Sequence, residues 1–136
     1  MSSGIAVNDV CLQKYQALRL QKKHKYIIFN LNGDNTEIVV EKVSSDTDYD
    51  TFLADLPETE CRWAVYDFEY ERDGAGKRNK ILLFAWSPDD ARIKQKMLFA
   101  SAKDALRREL TGISAEIQGT EFAEVAFDAV LNKVSR

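Results

Sequence analysis

Residues 86–110 read WSPDDARIKQKMLFASAKDALRREL, and their reading decides the fold. Ser87 stands where an N-cap belongs, Pro88 suits the first helical position, and Asp90, three residues after the cap, puts acidic charge at the positive end of the helix dipole. The spacing therefore predicts a long helix from about Pro88 to Leu110, closed by Gly112. Ser101 bonding back to a carbonyl would bend it. The helix is basic, with Arg92, Lys94, Lys96, Lys103, Arg107 and Arg108 against Asp104 and Glu109. It is also apolar, through Ile93, Met97, Leu98, Phe99, Leu106 and Leu110. Such a helix packs on its own domain and still presents charge and a polarisable Met to a partner. Arg92 with Lys96, and Lys103 with Arg107, stack like charges four apart, which costs an isolated helix stability and points to an acidic partner.

Before this helix, ILLFAW in 79–86 is apolar on both faces and predicts a central strand covered on both sides. It returns from the aromatic strand CRWAVYDFEY at 61–70, through a loop at 71–77 that holds Gly74 and Gly76. Upstream, YIIFNL at 26–31 and TEIVVEKV at 36–43 flank the turn Asn32-Gly33-Asp34-Asn35 and form a first hairpin. Asn8 or Asp9 caps a helix to about Leu20 with Cys11, Tyr15 and Leu18 on one face. A short helix at 48–56 turns Tyr49, Phe52, Leu53 and Leu56 inward and ends at Pro57. After the basic helix come a short strand at 114–118 and a helix from Thr120 to about Lys133, burying Phe122, Val125, Phe127, Val130 and Leu131. Residues 1–7 read as a loose tail and 8–136 as one α+β domain, a central mixed sheet flanked by helices on both faces.

The chain has 136 residues, room for one domain with a real core. Its 19 Lys and Arg against 22 Asp and Glu leave a net charge of −3, which argues against a general nucleic-acid binder. Cys11 and Cys61 make no CxxC pair and no disulfide framework, which fits a reducing, intracellular setting. The single histidine, His24, sits in the charged run QKKHK, so a multi-His metal site is excluded. GAGK at 74–77 lacks the spacing of a phosphate-binding loop. No apolar run is long enough to span a membrane. Nothing reads as an active site, a cofactor site or a metal site, so the expectation is a soluble, monomeric, non-enzymatic protein.

The runs WSPD, IKQKMLFASAKDALRREL, YDFEYE, GKRNKILLFAWSP, TEIVVEK and IQGTEF resemble the actin-depolymerising factor/cofilin family, and the likeness extends in order from Ser3 to Arg136. The resemblance implies a single ADF-homology domain. It implies a protein that binds actin monomers and filaments, prefers ADP-actin, alters filament twist, and severs and depolymerises filaments. The implied location is the cytoplasm and its actin cytoskeleton, with the nucleus open as a second site.

Residue by residue, the resemblance implies that Lys94, Lys96 and Met97 enter the cleft between two actin subdomains. Ser3 and Gly4 touch the same actin, and Ser3 is the family's inhibitory phosphorylation site; a phosphate there adds close to two negative charges against an acidic surface. Glu121 and Glu124 belong to the same monomer-and-filament face. Arg78, Lys80, Lys133 and Arg136 match residues that bind a neighbouring subunit in the filament. Lys103, Arg107 and Arg108 match a phosphoinositide-sensitive patch; at ~1 kcal/mol per base near an anionic surface, three give weak binding that competes with actin. The family often carries Pro where Arg92 stands and an acid where Asn132 stands. Two other readings stay open: a glia-maturation-factor-like regulator of the branch-nucleating complex, which the GKRNK arm disfavours, and a phosphoinositide-binding module.

Overall fold

The computed structural model describes residues 4–72, 74 and 76–135. Its elements run β1 (Ala6–Val7), α1 (Asp9–Gln21), β2 (Tyr26–Leu31), β3 (Glu37–Ser44), α2 (Tyr49–Ala54), β4 (Arg62–Arg72), β5 (Gly76–Trp86), α3 (Ile93–Glu109), β6 (Ala115–Gly119), α4 (Phe122–Val125) and α5 (Phe127–Val134). The strands form one mixed sheet in the order β1-β3-β2-β4-β5-β6. Both hairpins, β2/β3 and β4/β5, are antiparallel as read from the sequence, and β2 also pairs antiparallel with β4. The outer strands β1 and β6 join β3 and β5 in parallel.

Successive strand residues point to opposite faces, and both faces of the sheet are buried. Trp63, Val65, Ile81 and Leu83 pack with Cys11, Tyr15 and Leu18 of α1 and with Phe99, Ala102 and Leu106 of α3. Ala64, Tyr66, Phe68, Leu82, Phe84 and Trp86 pack on the other side with Tyr49 and Phe52 of α2, Val125 of α4, and Val130 and Val134 of α5. This is why ILLFAW carries no polar alternation. Helix α1 begins where Asn8 Oδ1 accepts from the Val10 N–H at 2.9 Å, and α2 where Asp48 Oδ1 accepts from Asp50 N–H at 3.0 Å.

Four expectations need correction. First, α3 begins at Ile93, with Arg92 at its N-cap, and not at Pro88. The Ser87 N–H donates to Gly119 O at 2.9 Å and the Asp89 N–H to Thr120 O at 3.1 Å, so this backbone continues alongside β6; Ala91 N–H then closes a turn on Pro88 O. Tertiary pairing overrides a good local cap signal. Second, the tail is shorter than residues 1–7: Ile5 is buried and Ala6–Val7 pair with Glu37 and Ile38. Third, β4 and β5 run two or three residues further into the expected loop, to the pair Arg72 and Gly76. Fourth, the last helix is two. Ala126 is extended (φ −61°, ψ 153°), and the Val125 carbonyl that would continue the helix instead accepts from the Tyr49 hydroxyl at 2.6 Å. The break leaves Phe122 and Phe127, expected in the core, 38% and 40% exposed.

Candidate functional site

The outward face of α3 carries Ile93 and Met97, 74% and 68% exposed, with Lys94 exposed between them. Ile93 and Met97 are four apart and so share one helix stripe. Gln95 points inward, its Oε1 accepting from the Cys61 N–H at 2.9 Å, which pins the first turn of α3 to the start of β4. Lys96 turns towards the preceding turn, its ammonium donating to the Asp89 carbonyl at 2.8 Å. From Asp89 a continuous set of hydrogen bonds runs to α4. The Asp89 N–H reaches Thr120 O, and the Thr120 N–H and hydroxyl both donate to Glu124 Oε1 at 2.7 Å, joined by the Glu121 N–H at 3.3 Å. Those donors, the Thr120 hydroxyl foremost, hold the Glu124 carboxyl below its ordinary pKa. Lys96, Glu121 and Glu124 are therefore parts of one patch, with Glu121 exposed and Glu124 partly engaged as a cap.

Gly4 stands two residues before β1, and β1 lies against α3, so this end of the chain belongs to the same side of the molecule. Gly4 has φ +79°, a conformation that favours glycine. Ser3 lies outside the described residues. Two residues on this face were missed as site residues: Ile93, whose i, i+4 relation to Met97 is legible in the sequence, and Phe122, whose ring meets Trp86 at 4.7 Å and remains partly open. No sequence signal marked Phe122, because its exposure follows from the break at Ala126.

A second surface lies at the other end of β5. Arg78 and Lys80 are two apart and pair with Tyr70 and Phe68, which places both on the face that carries α5. The Lys80 ammonium donates to the Val134 carbonyl at 2.6 Å, and Lys133 is exposed in the same last turn of α5. Arg78 is exposed and has no partner among the described residues. Asn79, between them, points to the opposite face, where its Nδ2 donates to Asp67 Oδ1 at 3.1 Å; Asp67 is buried and also pairs with Lys22 at 3.2 Å. Arg136 lies outside the described residues.

The third set, Lys103, Arg107 and Arg108, is only partly free. Glu116 on β6 pairs with Lys103 at 3.0 Å and with Arg107 at 3.3 Å, and Arg108 stays exposed. The Lys103 hydrogen bond, assisted by both positive charges, holds the Glu116 carboxyl below its usual range. Neither thiol is poised for chemistry: burial pushes Cys11 up to about 11 and also raises Cys61. His24 is shifted down by burial and by Lys14 and Lys23. Among the described residues no group of three or more His, Cys, Asp or Glu could hold a metal ion, and no helix is long and apolar enough to cross a membrane.

One sheet, covered on both sides and carrying these two surfaces, defines the class: the family described as cofilin/tropomyosin-type actin-binding protein matches residues 4–135. Among the relatives, the cofilin of Mycosarcoma maydis is 66% identical over 136 residues, covering 100% of this chain and 98% of its own. The cofilin of Saccharomyces cerevisiae is 55% identical over 135 residues, covering 98% and 94%. A crystal structure of Streptomyces griseoflavus cofilin superposes with a TM-score of 0.93 at 64% identity, covering 98% of each chain. Plasmodium berghei actin depolymerization factor 2 gives 0.87 at 29% identity, covering 99% and 98%. The chain belongs to the actin-depolymerising factor/cofilin family.

Proposed function

We propose that this protein binds actin monomers and filaments through two separate surfaces and drives filament turnover without covalent chemistry. The observation that carries the reading is the hydrogen-bonded run from Lys96 through Asp89 and Thr120 to Glu124, which welds α3 and the start of α4 into one face. On this face Ile93 and Met97 supply apolar contact, Lys94 and Lys96 meet actin carboxylates, and Glu121 and Glu124 meet donors. Ser3 and Gly4 complete it. The second surface, Arg78, Lys80, Lys133 and Arg136, engages the neighbouring subunit. Two contacts on adjacent subunits can favour an altered filament twist, and only a differential affinity for that twist shifts it. ADP-actin preference, severing at boundaries of decorated segments, and faster subunit loss follow. The protein acts in the cytoplasm on the actin cytoskeleton, as a monomer, and is no enzyme.

Two controls belong to the same reading. Phosphate on Ser3 repels the acidic partner. Phosphoinositide headgroups bind Lys103, Arg107 and Arg108, displacing Glu116 from the first two, and exclude actin.

The test is cosedimentation with ADP-actin filaments, wild type beside Arg78→Ala/Lys80→Ala, with filament lengths imaged in parallel. Wild type pellets and shortens filaments, and the double variant loses both while still binding monomer. Binding to monomer alone would remove the second surface. Binding to neither would leave the phosphoinositide module as the better reading.

A further inference from the structure

Of the five helices in the described residues, four obey the dipole rule and α3 reverses it. Helices α1, α2, α4 and α5 each carry an acid in the first turn: Asp9, Asp50, Glu124 and Asp128. Helix α3 has none; Arg92 is its N-cap, and Lys94 and Lys96 follow directly. The positive end of a helix disfavours each of these cations. Arg92 offers nothing in return: its side chain makes no cap hydrogen bond, whereas Asn8 and Asp48 do. A guanidinium holds donors only, and the orphan N–H groups of a first turn need an acceptor. Nor is its charge neutralised nearby. Arg92 is exposed and makes no ion pair among the described residues, although Asp89 and Asp90 stand just before it. Lys94 is likewise exposed and unpaired there, and Lys96 is engaged only by the neutral Asp89 carbonyl. Arg92 and Lys94 flank Ile93, which is 74% exposed and shares its stripe with Met97.

We infer that Arg92 is a further contact residue of the first surface, pairing with a carboxylate of actin at the rim of the apolar contact made by Ile93 and Met97, and that the free protein carries it at a loss of stability. The contact rests on the proposed function; the loss of stability does not. An acidic partner reverses the sign of the local energy. Its carboxylate offsets the charge that the helix end repels, and the guanidinium fork takes it in two parallel hydrogen bonds. Arg92 thus breaks a local rule that the other helices keep, and such breaks fall where binding is served at the expense of the fold.

Two variants separate the halves. Arg92→Asn removes the charge and supplies a capping acceptor; Arg92→Lys keeps the charge without the fork or the cap. In urea melts of the actin-free protein, Arg92→Asn should be more stable than wild type, its unfolding constant lower by about fivefold, and Arg92→Lys should match wild type. Binding to ADP-actin monomer is then titrated at several salt concentrations. Arg92→Asn should bind about tenfold more weakly, with a shallower dependence of affinity on salt. Arg92→Lys should keep the salt dependence and lose a few-fold of affinity. A purely structural role would leave the salt dependence unmoved. Arg92→Asn no more stable than wild type overturns the stability loss, and unchanged affinity with unchanged salt dependence overturns the contact. Wild type that binds no actin overturns the proposed function and the contact with it, while the melts still decide the stability loss.

Discussion

Lys80 on β5 and Val134 at the end of α5 are joined by an ammonium-to-carbonyl hydrogen bond of 2.6 Å, although 54 residues separate them in sequence. The bond ties the hairpin arm to the last helical turn, so the strand that carries Arg78 and Lys80 is joined to the turn that carries Lys133. It also places positive charge at the negative end of α5.

Lys80→Met should therefore affect both stability and binding. It removes the helix-end partner and costs about 1 kcal/mol. Arg78→Ala, at an exposed position whose side chain has no partner among the described residues, should stay within about 0.5 kcal/mol of wild type. Both should lose filament cosedimentation. Urea melts beside pelleting assays check this, and equal stability of the two variants would break the link to Val134.

Asp67 should position the arm from the opposite face. It is buried, with Asn79 and Lys22 on its two oxygens. Asp67→Ala leaves Asn79 without its acceptor, for which a cost of about 1–3 kcal/mol is expected. Filament affinity should fall while monomer affinity holds. Monomer affinity by fluorescence titration separates this from general unfolding.

Phe99 should be the most damaging single truncation in α3. Its ring stacks on Trp63 beneath the helix that carries Lys96 and Met97. Phe99→Ala should cost about 3–5 kcal/mol and Phe99→Leu much less. Guanidinium melts followed by tryptophan fluorescence give both numbers.

Glu116 should act as a built-in competitor for anionic lipid. Glu116→Gln frees Lys103 and Arg107 and should strengthen binding to phosphoinositide vesicles in cosedimentation. The same pairing makes a stability prediction. The folded carboxyl titrates below its ordinary 4.5, so the stability it contributes is complete above that value and is lost as pH falls through the lower folded pKa. Melts of wild type and Glu116→Gln should converge as pH falls through that window; a gap that persists there would refute the link.

Phe122 should contribute to the first surface. It is partly exposed against Trp86, beside Glu121. Phe122→Ala should weaken monomer binding several-fold, with a modest loss of stability, measured by titration and by urea melts.

Much of this was legible in the linear chain. The β-branched run TEIVVEKV, the two-faced run ILLFAW, the cap at Asn8, and the Cys11/Tyr15/Leu18 stripe each express a local rule, the preference of a strand, the period of a helix or the partner of an orphan N–H. Those rules need no distant residue, and the elements they predict are present. The charges of α3 and the GKRNK arm were legible for the same reason, since composition at a given spacing is a property of the chain.

The errors share the opposite cause. The start of α3 moved from Pro88 to Ile93 because Ser87 bonds Gly119 at the end of β6 and Asp89 bonds Thr120 just after it, more than thirty positions away. Ala6 and Val7 became a strand because β3 offered an edge. The last helix broke at Ala126 because the hydroxyl of Tyr49, from α2 on the same side of the sheet, claims the Val125 carbonyl. The sequence alone determined which segments are helix or strand, which faces are apolar and where charge collects. Only the tertiary structure decided which charges are engaged, with Lys96 held by the Asp89 carbonyl, Lys103 by Glu116 and Lys80 by Val134, because a hydrogen bond or ion pair needs two groups at about 3 Å, and that proximity exists only once the layers have packed.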